Sequence, residues 1–399
     1  MDNWATLDQT YIMSTVTRLP ITIDRAEGNY LYDIDGNRYL DLFTGLAVNI
    51  LGHTHPRLME TLEEQGNRFL HISNLFHNPP AIQLAKRLVE HTFTKGKVFF
   101  CNSGAEATEA TIKLISKWTD LKQNGRHGIV VIQNSFHGRT LGALRLTRQP
   151  GVYQNFPQLS FPVFEVPLND TEELANICRE KKPAAILVEP IMGAGGVISL
   201  APAYLKMINQ ICREEDMLFC VDEIQTGVGR TGTLFAYQDY DIHPDVILFA
   251  KGIGGGLPIG GIIGNERTAD LFKPGDHGTT FAPSPLSAAL GNTVLDLLLD
   301  DGLMKTGRET AHYLWHELEK LCKEFPHIFN YMDGKGMMIG IRTHLTANEV
   351  SHFQRQLLER GILVNVTAQT IIRLLPPLTL QHREVDFLIE NVRELITTS

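Results

Sequence analysis

The chain has 399 residues, 43% of them hydrophobic and 20% charged, with a formal net charge of −9. That length exceeds one ordinary core and calls for two packed units, while an acidic balance without a long basic run argues against nucleic acid as a partner. No apolar stretch approaches a membrane span. The opening M-D-N-W-A-T-L-D-Q-T lacks the basic-then-apolar order of an export signal, so a cytoplasmic protein that touches no membrane is the expectation.

In chain order, the first fifty residues read as an arm followed by a hairpin. Tyr30–Asp33 and Arg38–Asp41 flank Ile34-Asp35-Gly36-Asn37, a turn signal between two strands. From residue 51 to about 300, short apolar runs alternate with helical patterns, among them 98–101, 129–132, 185–188, 218–221 and 246–250. This βαβα rhythm predicts an α/β unit, a mostly parallel sheet covered by helices. A long helix is expected after Pro285, leading into a smaller α+β unit over 301–399. That unit closes on a helix for which Thr379 is the expected N-cap.

Two of the apolar runs end on chemistry. The run 217–221 stops at Asp222, in V-D-E-I-Q-T-G-V-G-R-T-G, and the run 246–250 stops at Lys251, in F-A-K-G-I-G-G-G-L-P-I-G. Ligands of open α/β sheets gather at strand carboxyl ends. An amine and an acid so placed are what pyridoxal 5'-phosphate (PLP) requires: a lysine to bond its aldehyde and a carboxylate for its pyridinium nitrogen. A structural ion pair fits the same spacing. Asn102-Ser103-Gly104-Ala105, after one strand and before a helical pattern, offers N–H groups and a positive dipole end to a phosphate; an ordinary βα turn would look the same.

Other signals are weaker. Residues 227–232 match G-x-G-x-x-G, but the aromatic, proline-containing stretch that follows carries no helical stripe, which disfavours a dinucleotide loop. Gly254-Gly255-Gly256 is expected to let the chain turn tightly after Lys251. His53-Thr54-His55 lacks a carboxylate or cysteine at ligand spacing, so no metal is expected. The five scattered cysteines suggest reduced thiols rather than a disulfide framework.

A longer series of strings carries a family likeness. In order they are Y-L-Y-D-I-D-G-N-R-Y-L-D from Tyr30, L-G-H-T-H-P from Leu51, F-C-N-S-G-A-E-A-T-E-A from Phe100, S-F-H-G-R-T from Ser135 and V-E-P-I from Val188. The two strand ends follow, then H-G-T-T-F from His277 and I-R-L-L-P-P-L from Ile372. With these the chain resembles the class III (ornithine-type) PLP-dependent aminotransferases along nearly its whole length. Within them it is most similar to the acetylornithine members and their ornithine and 4-aminobutyrate relatives.

The resemblance implies PLP fold type I, with a cofactor domain over 51–300, a small domain over 301–399, and residues 1–50 packing with the small domain. It implies Lys251 as the catalytic base and cofactor-bonding amine, Asp222 at the ring nitrogen and Gln225 near the phenolic oxygen. Ser103, Gly104 and Ala105 would bind the phosphate, Phe136 would stack on the ring, and Thr280 would reach the phosphate of the other subunit. That last role implies a homodimer with shared sites. Arg139, Arg373 and Glu189 are the implied substrate residues, with Arg373 on the α-carboxylate of glutamate or 2-oxoglutarate. The implied reaction moves the terminal amino group of N-acetylornithine, or a close analogue, to 2-oxoglutarate, as in arginine biosynthesis. The alternatives are 4-aminobutyrate, ornithine or another ω-amine donor, and a 2,1-aminomutase.

Three positions depart from the family pattern. Where family members commonly read E-P-x-Q-G-E-G-G, this chain reads E-P-I-M-G-A-G-G, and Ala194 replaces the glutamate that pairs with the arginine matched by Arg373. Arg373 is therefore expected to stand uncovered while the amine donor binds. Val16 stands where a donor-binding tyrosine is frequent, and Ala282-Pro283-Ser284 replaces a small G-G-N string.

Overall fold

A computed structural model describes residues 3–398. Its centre is a seven-stranded sheet in the order Gly96–Cys101, Gly260–Asn265, Val246–Phe249, Leu218–Asp222, Ala185–Val188, Ile129–Ile132, Val163–Val166. Every strand runs the same way except Gly260–Asn265, which is antiparallel to both neighbours. The four-residue runs Val246–Phe249, Ala185–Val188 and Ile129–Ile132 are buried at every position, as strands covered on both faces must be.

Alternation sorts these strands into two cores. Val130, Ile186, Val188, Phe219, Val221, Ile247 and Phe249 join the larger core. Val131, Ala185, Leu187, Leu218, Cys220, Val246 and Leu248 face the other way into a second one. Each such side chain contributes about 1.5–3 kcal/mol of burial, so the sheet is the stiffest element available to hold a site. All five cysteines are free thiols.

Two smaller sheets flank it. Phe329–Lys335, Met338–Thr343, Ile371–Leu374 and Asn365–Thr367 form an antiparallel sheet. Ile23–Glu27, Tyr30–Asp33 and Arg38–Asp41 form a second, to which Ile362–Leu363 adds in parallel. The expected hairpin thus takes a strand from the far end of the chain. Asn29 Nδ2 reinforces the seam, donating to the Thr379 carbonyl (3.0 Å) and to Glu384 Oε2 (2.7 Å), the first of these bonds joining residues 350 apart in sequence.

One local expectation needs correction, and others gain detail. Thr379 does not cap the last helix: its hydroxyl bonds Asn29 Oδ1 at 2.6 Å. The helix His382–Thr398 follows Gln381, whose N–H donates to Glu384 Oε2 at 2.8 Å. The long helix after Pro285 is α-helical over Pro285–Leu295 and ends in a π-helical turn, Asp296–Asp300. The arm contains a helix, Trp4–Tyr11, with no buried residue. The G-x-G-x-x-G string opens no α-helix but runs into a 3-10 turn, Ala236–Asp239. Inside that string Arg230 is 1% exposed and its Nη1 donates to the carbonyls of Met337 (3.2 Å) and Pro376, so the loop fastens the large sheet to the C-terminal one. No helix among the described residues is long and apolar enough to cross a membrane.

Candidate active site

The strand register explains why Asp222 and Lys251 meet. Leu218–Asp222 and Val246–Phe249 are parallel neighbours with Asp222 opposite Leu248, so Asp222 closes one strand while Lys251 follows two residues after the end of the other. Both side chains line a cavity of about 450 Å³, a usual size for a small-molecule site. Lys251 starts a 3-10 turn with φ +50°. For a residue with a side chain that left-handed conformation costs about 1–3 kcal/mol and persists where the surroundings impose it. Burial pulls the Lys251 pKa down to about 8; Asp222 raises it and Arg373 lowers it further. The neutral amine that a nucleophile and proton carrier needs is therefore far more available near neutral pH than in an ordinary lysine, though still the minority form.

Asp222 is 3% exposed. Its Oδ1 accepts from the Ile224 N–H (3.1 Å), and its Oδ2 lies within hydrogen-bond distance of His137 Nδ1, at 2.7 Å. His137 is fixed in turn: its N–H donates to Thr147 Oγ1 (3.1 Å) and its carbonyl accepts from Thr108 Oγ1 (2.7 Å). Nothing in the sequence reading singled out His137, although it stands between Phe136 and Arg139 in S-F-H-G-R-T.

The opposite wall is the helix Gly104–Lys122, capped by Ser103, whose Oγ accepts from the Glu106 N–H at 3.3 Å. Glu106 reaches back to the Asn102 N–H at 2.6 Å, which locks the turn. The N–H groups of Gly104 and Ala105 lie in the first turn, ahead of any intrahelical acceptor. A Cβ on Gly104 would lie 2.9 Å from Ile224 Cδ1, so the turn seats against the segment that follows Asp222. Ser103, Gly104 and Ala105 all line the cavity, together with Phe136, Arg139, Glu189, Ala194 and Gln225.

Glu189 lines the cavity, yet both its oxygens are engaged: Oε1 accepts from the Phe136 N–H (2.8 Å) and Oε2 from the Gly193 N–H (3.2 Å). It clips two wall loops together, and burial pushes its pKa up to about 7. Arg139 is exposed on the wall, its guanidinium 5.9 Å from the Phe136 ring centroid. Thr280 is exposed and lines a separate depression with His71, Ser73 and Thr279, outside the main cavity of its own chain. Val16 is 61% exposed and likewise outside that cavity's lining. His53, weighed above as a metal ligand, has its Nε2 2.8 Å from Asp41 Oδ2.

Arg373 is 5% exposed on the strand Ile371–Leu374. Neutral groups hold it, and no carboxylate among the described residues is bonded to it. Its Nε and Nη2 both donate to Asn365 Oδ1 (2.9 and 2.6 Å), and its Nη1 donates to the Gly193 carbonyl (3.0 Å) and more weakly to Gln225 Oε1 (3.5 Å). Asn365 escapes a reading of motifs because it is an ordinary polar residue in G-I-L-V-N-V, with no partner until the two strands pair.

The site fits a phosphorylated aromatic aldehyde: a depressed lysine, a braced carboxylate, a small-residue helix start and one aromatic wall face a single cavity. Comparison with known proteins gives it a family. The model of the class III aminotransferases ("Aminotransferase class-III") matches residues 11–396. The chain belongs to the class III aminotransferases. It is a PLP-dependent enzyme of the α/β type I fold, and the strand-end pair and the large sheet agree with that. The acetylornithine aminotransferase of Aquifex aeolicus is 41% identical over 387 residues, covering 97% of this chain and 100% of that protein. That of Caldanaerobacter subterraneus is 41% identical over 393 residues, covering 98% of each. Among solved structures, the ornithine aminotransferase of Toxoplasma gondii superposes with a TM-score of 0.93 at 29% identity, covering 99% of this chain and 96% of that one. The N-acetylornithine aminotransferase of Stenotrophomonas maltophilia superposes with a TM-score of 0.84 at 29% identity, covering 98% of each.

Proposed function

We propose that this aminotransferase moves the terminal amino group of N-acetylornithine, or a close analogue, to 2-oxoglutarate, giving a semialdehyde and glutamate. The observation that carries the reading is the cavity shared by Lys251, Asp222 and Arg139, in a chain whose relatives of similar length are named for acetylornithine. When bound, PLP supplies an electron sink for the carbon that carries the amine. Lys251 would hold the cofactor's aldehyde, and its Nζ is placed to take a proton from the amine-bearing carbon and return it. The pKa near 8 suits both directions of transfer. Asp222 keeps the ring nitrogen protonated, and His137 holds Asp222 on line. Ser103, Gly104 and Ala105 would hold the phosphate, Phe136 would cover the ring, and Gln225 would serve the phenolic oxygen. Arg139 holds the carboxylate far from the reacting carbon in either substrate, and Arg373 holds the α-carboxylate of 2-oxoglutarate.

The working unit is read as a cytoplasmic homodimer in which Thr280 completes the phosphate site of the other subunit. Three large apolar side chains support this: Leu75, Phe76 and Phe281 are 88%, 67% and 66% exposed beside the Thr280 depression. Mixing inactive Lys251→Ala with inactive Thr280→Ala should restore activity, because one site of a heterodimer then carries both intact residues. Proven subunit exchange without restored activity would place each site within one chain. The substrate assignment is tested with a panel of amine donors and 2-oxoglutarate, reading glutamate formed. N-acetylornithine should give the highest kcat/KM, and a clear preference for 4-aminobutyrate or ornithine would replace it.

A further inference from the structure

Arg373 has only neutral partners. Two of its nitrogens share Asn365 Oδ1, and the third meets a backbone carbonyl and an amide oxygen. Glu189 is the carboxylate whose charge acts on it, and the Glu189 oxygens accept backbone N–H groups. Burial pulls the Arg373 pKa down to about 10; the guanidinium stays charged at neutral pH with no carboxylate bonded to it. Asn365 and Arg373 are register partners across the antiparallel pair Asn365–Thr367 and Ile371–Leu374, so the backbone itself sets their contact.

The choice of an amide has a physical consequence. A carboxylate bonded to a buried guanidinium forms an ion pair that an incoming carboxylate must break, and a buried charge that loses its partner is costly. An amide oxygen fixes the plane of the guanidinium while leaving its charge uncompensated. Position 194, next to the Gly193 carbonyl that accepts from Arg373, also lacks a carboxylate. Neither neighbour offers Arg373 a charge.

We propose that Asn365 is the positioning residue that sets acceptor specificity: it holds Arg373 as an oriented, uncompensated anchor for the α-carboxylate of a short dicarboxylic 2-oxo acid. An amine donor with no carboxylate beside its reacting carbon leaves the Asn365–Arg373 contact untouched, so donor and acceptor are told apart without a charged gate. This rests on the transaminase reading above.

The test uses the PLP-loaded enzyme and glutarate, a five-carbon diacid that cannot accept an amino group. Glutarate binding is measured by calorimetry, alongside kcat and KM for each substrate. Asn365→Asp gives Arg373 an ion-pair partner and should weaken glutarate about 50-fold, raise the 2-oxoglutarate KM to match, and leave the donor KM within about twofold. Asn365→Ala loses the orientation alone and should weaken glutarate about fivefold to tenfold. Wild-type glutarate affinity in folded Asn365→Asp overturns the proposal. So does an equal loss for donor and acceptor, which would mark a merely structural residue. If Asn365→Asp does not fold, Ala194→Glu brings a carboxylate from the neighbouring loop, and it must weaken glutarate in the same direction or the proposal fails. Failure of the underlying reading is seen separately, as wild-type enzyme that forms no glutamate from any amine donor.

Discussion

Asp222 and Lys251 close neighbouring strands of a parallel sheet buried on both faces, whereas Arg373 faces Asn365 across an antiparallel pair late in the chain. At the first end every polar contact reinforces a charge: His137 braces Asp222, and Asp222 supports the positive form of Lys251. At the second end the charge is left unbalanced and only its direction is fixed. Bond making and breaking needs groups that hold still, while recognition of two different substrates needs a charge free to be claimed. The proposed cofactor end is therefore tied to the stiffest element, and the proposed carboxylate end to a smaller antiparallel sheet.

The largest effect should come from the rigid end. Lys251→Ala should lower turnover at least about 10⁴-fold, since nucleophile and proton carrier vanish together. The visible band of the lysine-linked cofactor should vanish too, and a variant retaining it would separate that band from Lys251. At the recognition end, Arg373→Ala should cost about 2–5 kcal/mol in kcat/KM for 2-oxoglutarate. Unchanged steady-state constants would remove Arg373 from the site. His137→Ala leaves Asp222 Oδ2 without its partner in a buried position. It should reduce stability by about 1–3 kcal/mol, measured by denaturant unfolding, and lower kcat more than it raises either KM.

A pH measurement sharpens the comparison further. The Lys251 pKa lies near 8 in the folded chain, below the ordinary 10.5, so the neutral amine is the minority form below pH 8. The rate at which cofactor-stripped protein recaptures PLP should climb with pH and level off above about 8, followed as absorbance growth. In Asp222→Asn the levelling should move to lower pH, because the residue that raises the lysine pKa has lost its charge. The smallest effect is expected from Gly193→Ala. Its Cβ would fall 1.9 Å from Gln225 Oε1, so the Gln225 amide must swing aside, and the 2-oxoglutarate KM should rise by about tenfold or less.

The two ends also differ in how far sequence reveals them. Apolar four-residue runs ending in Asp222 and Lys251 announce strand ends because burial on both faces demands unbroken hydrophobicity. The turn at Ser103 announces a helix start through its cap and the Glu106 that reaches back. Family strings then attach roles to Phe136, Arg139 and Arg373. His137 and Asn365 stay hidden because each becomes meaningful only when a distant partner arrives, Asp222 in one case and Arg373 in the other. Thr379 misleads for the same reason: as a local cap it is plausible, but Asn29 claims its hydroxyl. Ala194 shows the limit of reading one departure alone, since the neutral groups that hold Arg373 come both from a strand and from the altered loop.

The hairpin near the start of the chain finishes its sheet only with Ile362–Leu363, and Asn29 reaches Thr379 across 350 positions. During synthesis the first three strands of this sheet leave the ribosome long before their fourth exists, and until then one edge of the small sheet is open. The large parallel sheet can form while this seam is still open, and its closure waits for the last segment. A nascent chain stalled before residue 362 would then carry Asp222 and Lys251 on a folded sheet with no Arg373 beside them: a protein able to meet the cofactor but not to choose an acceptor.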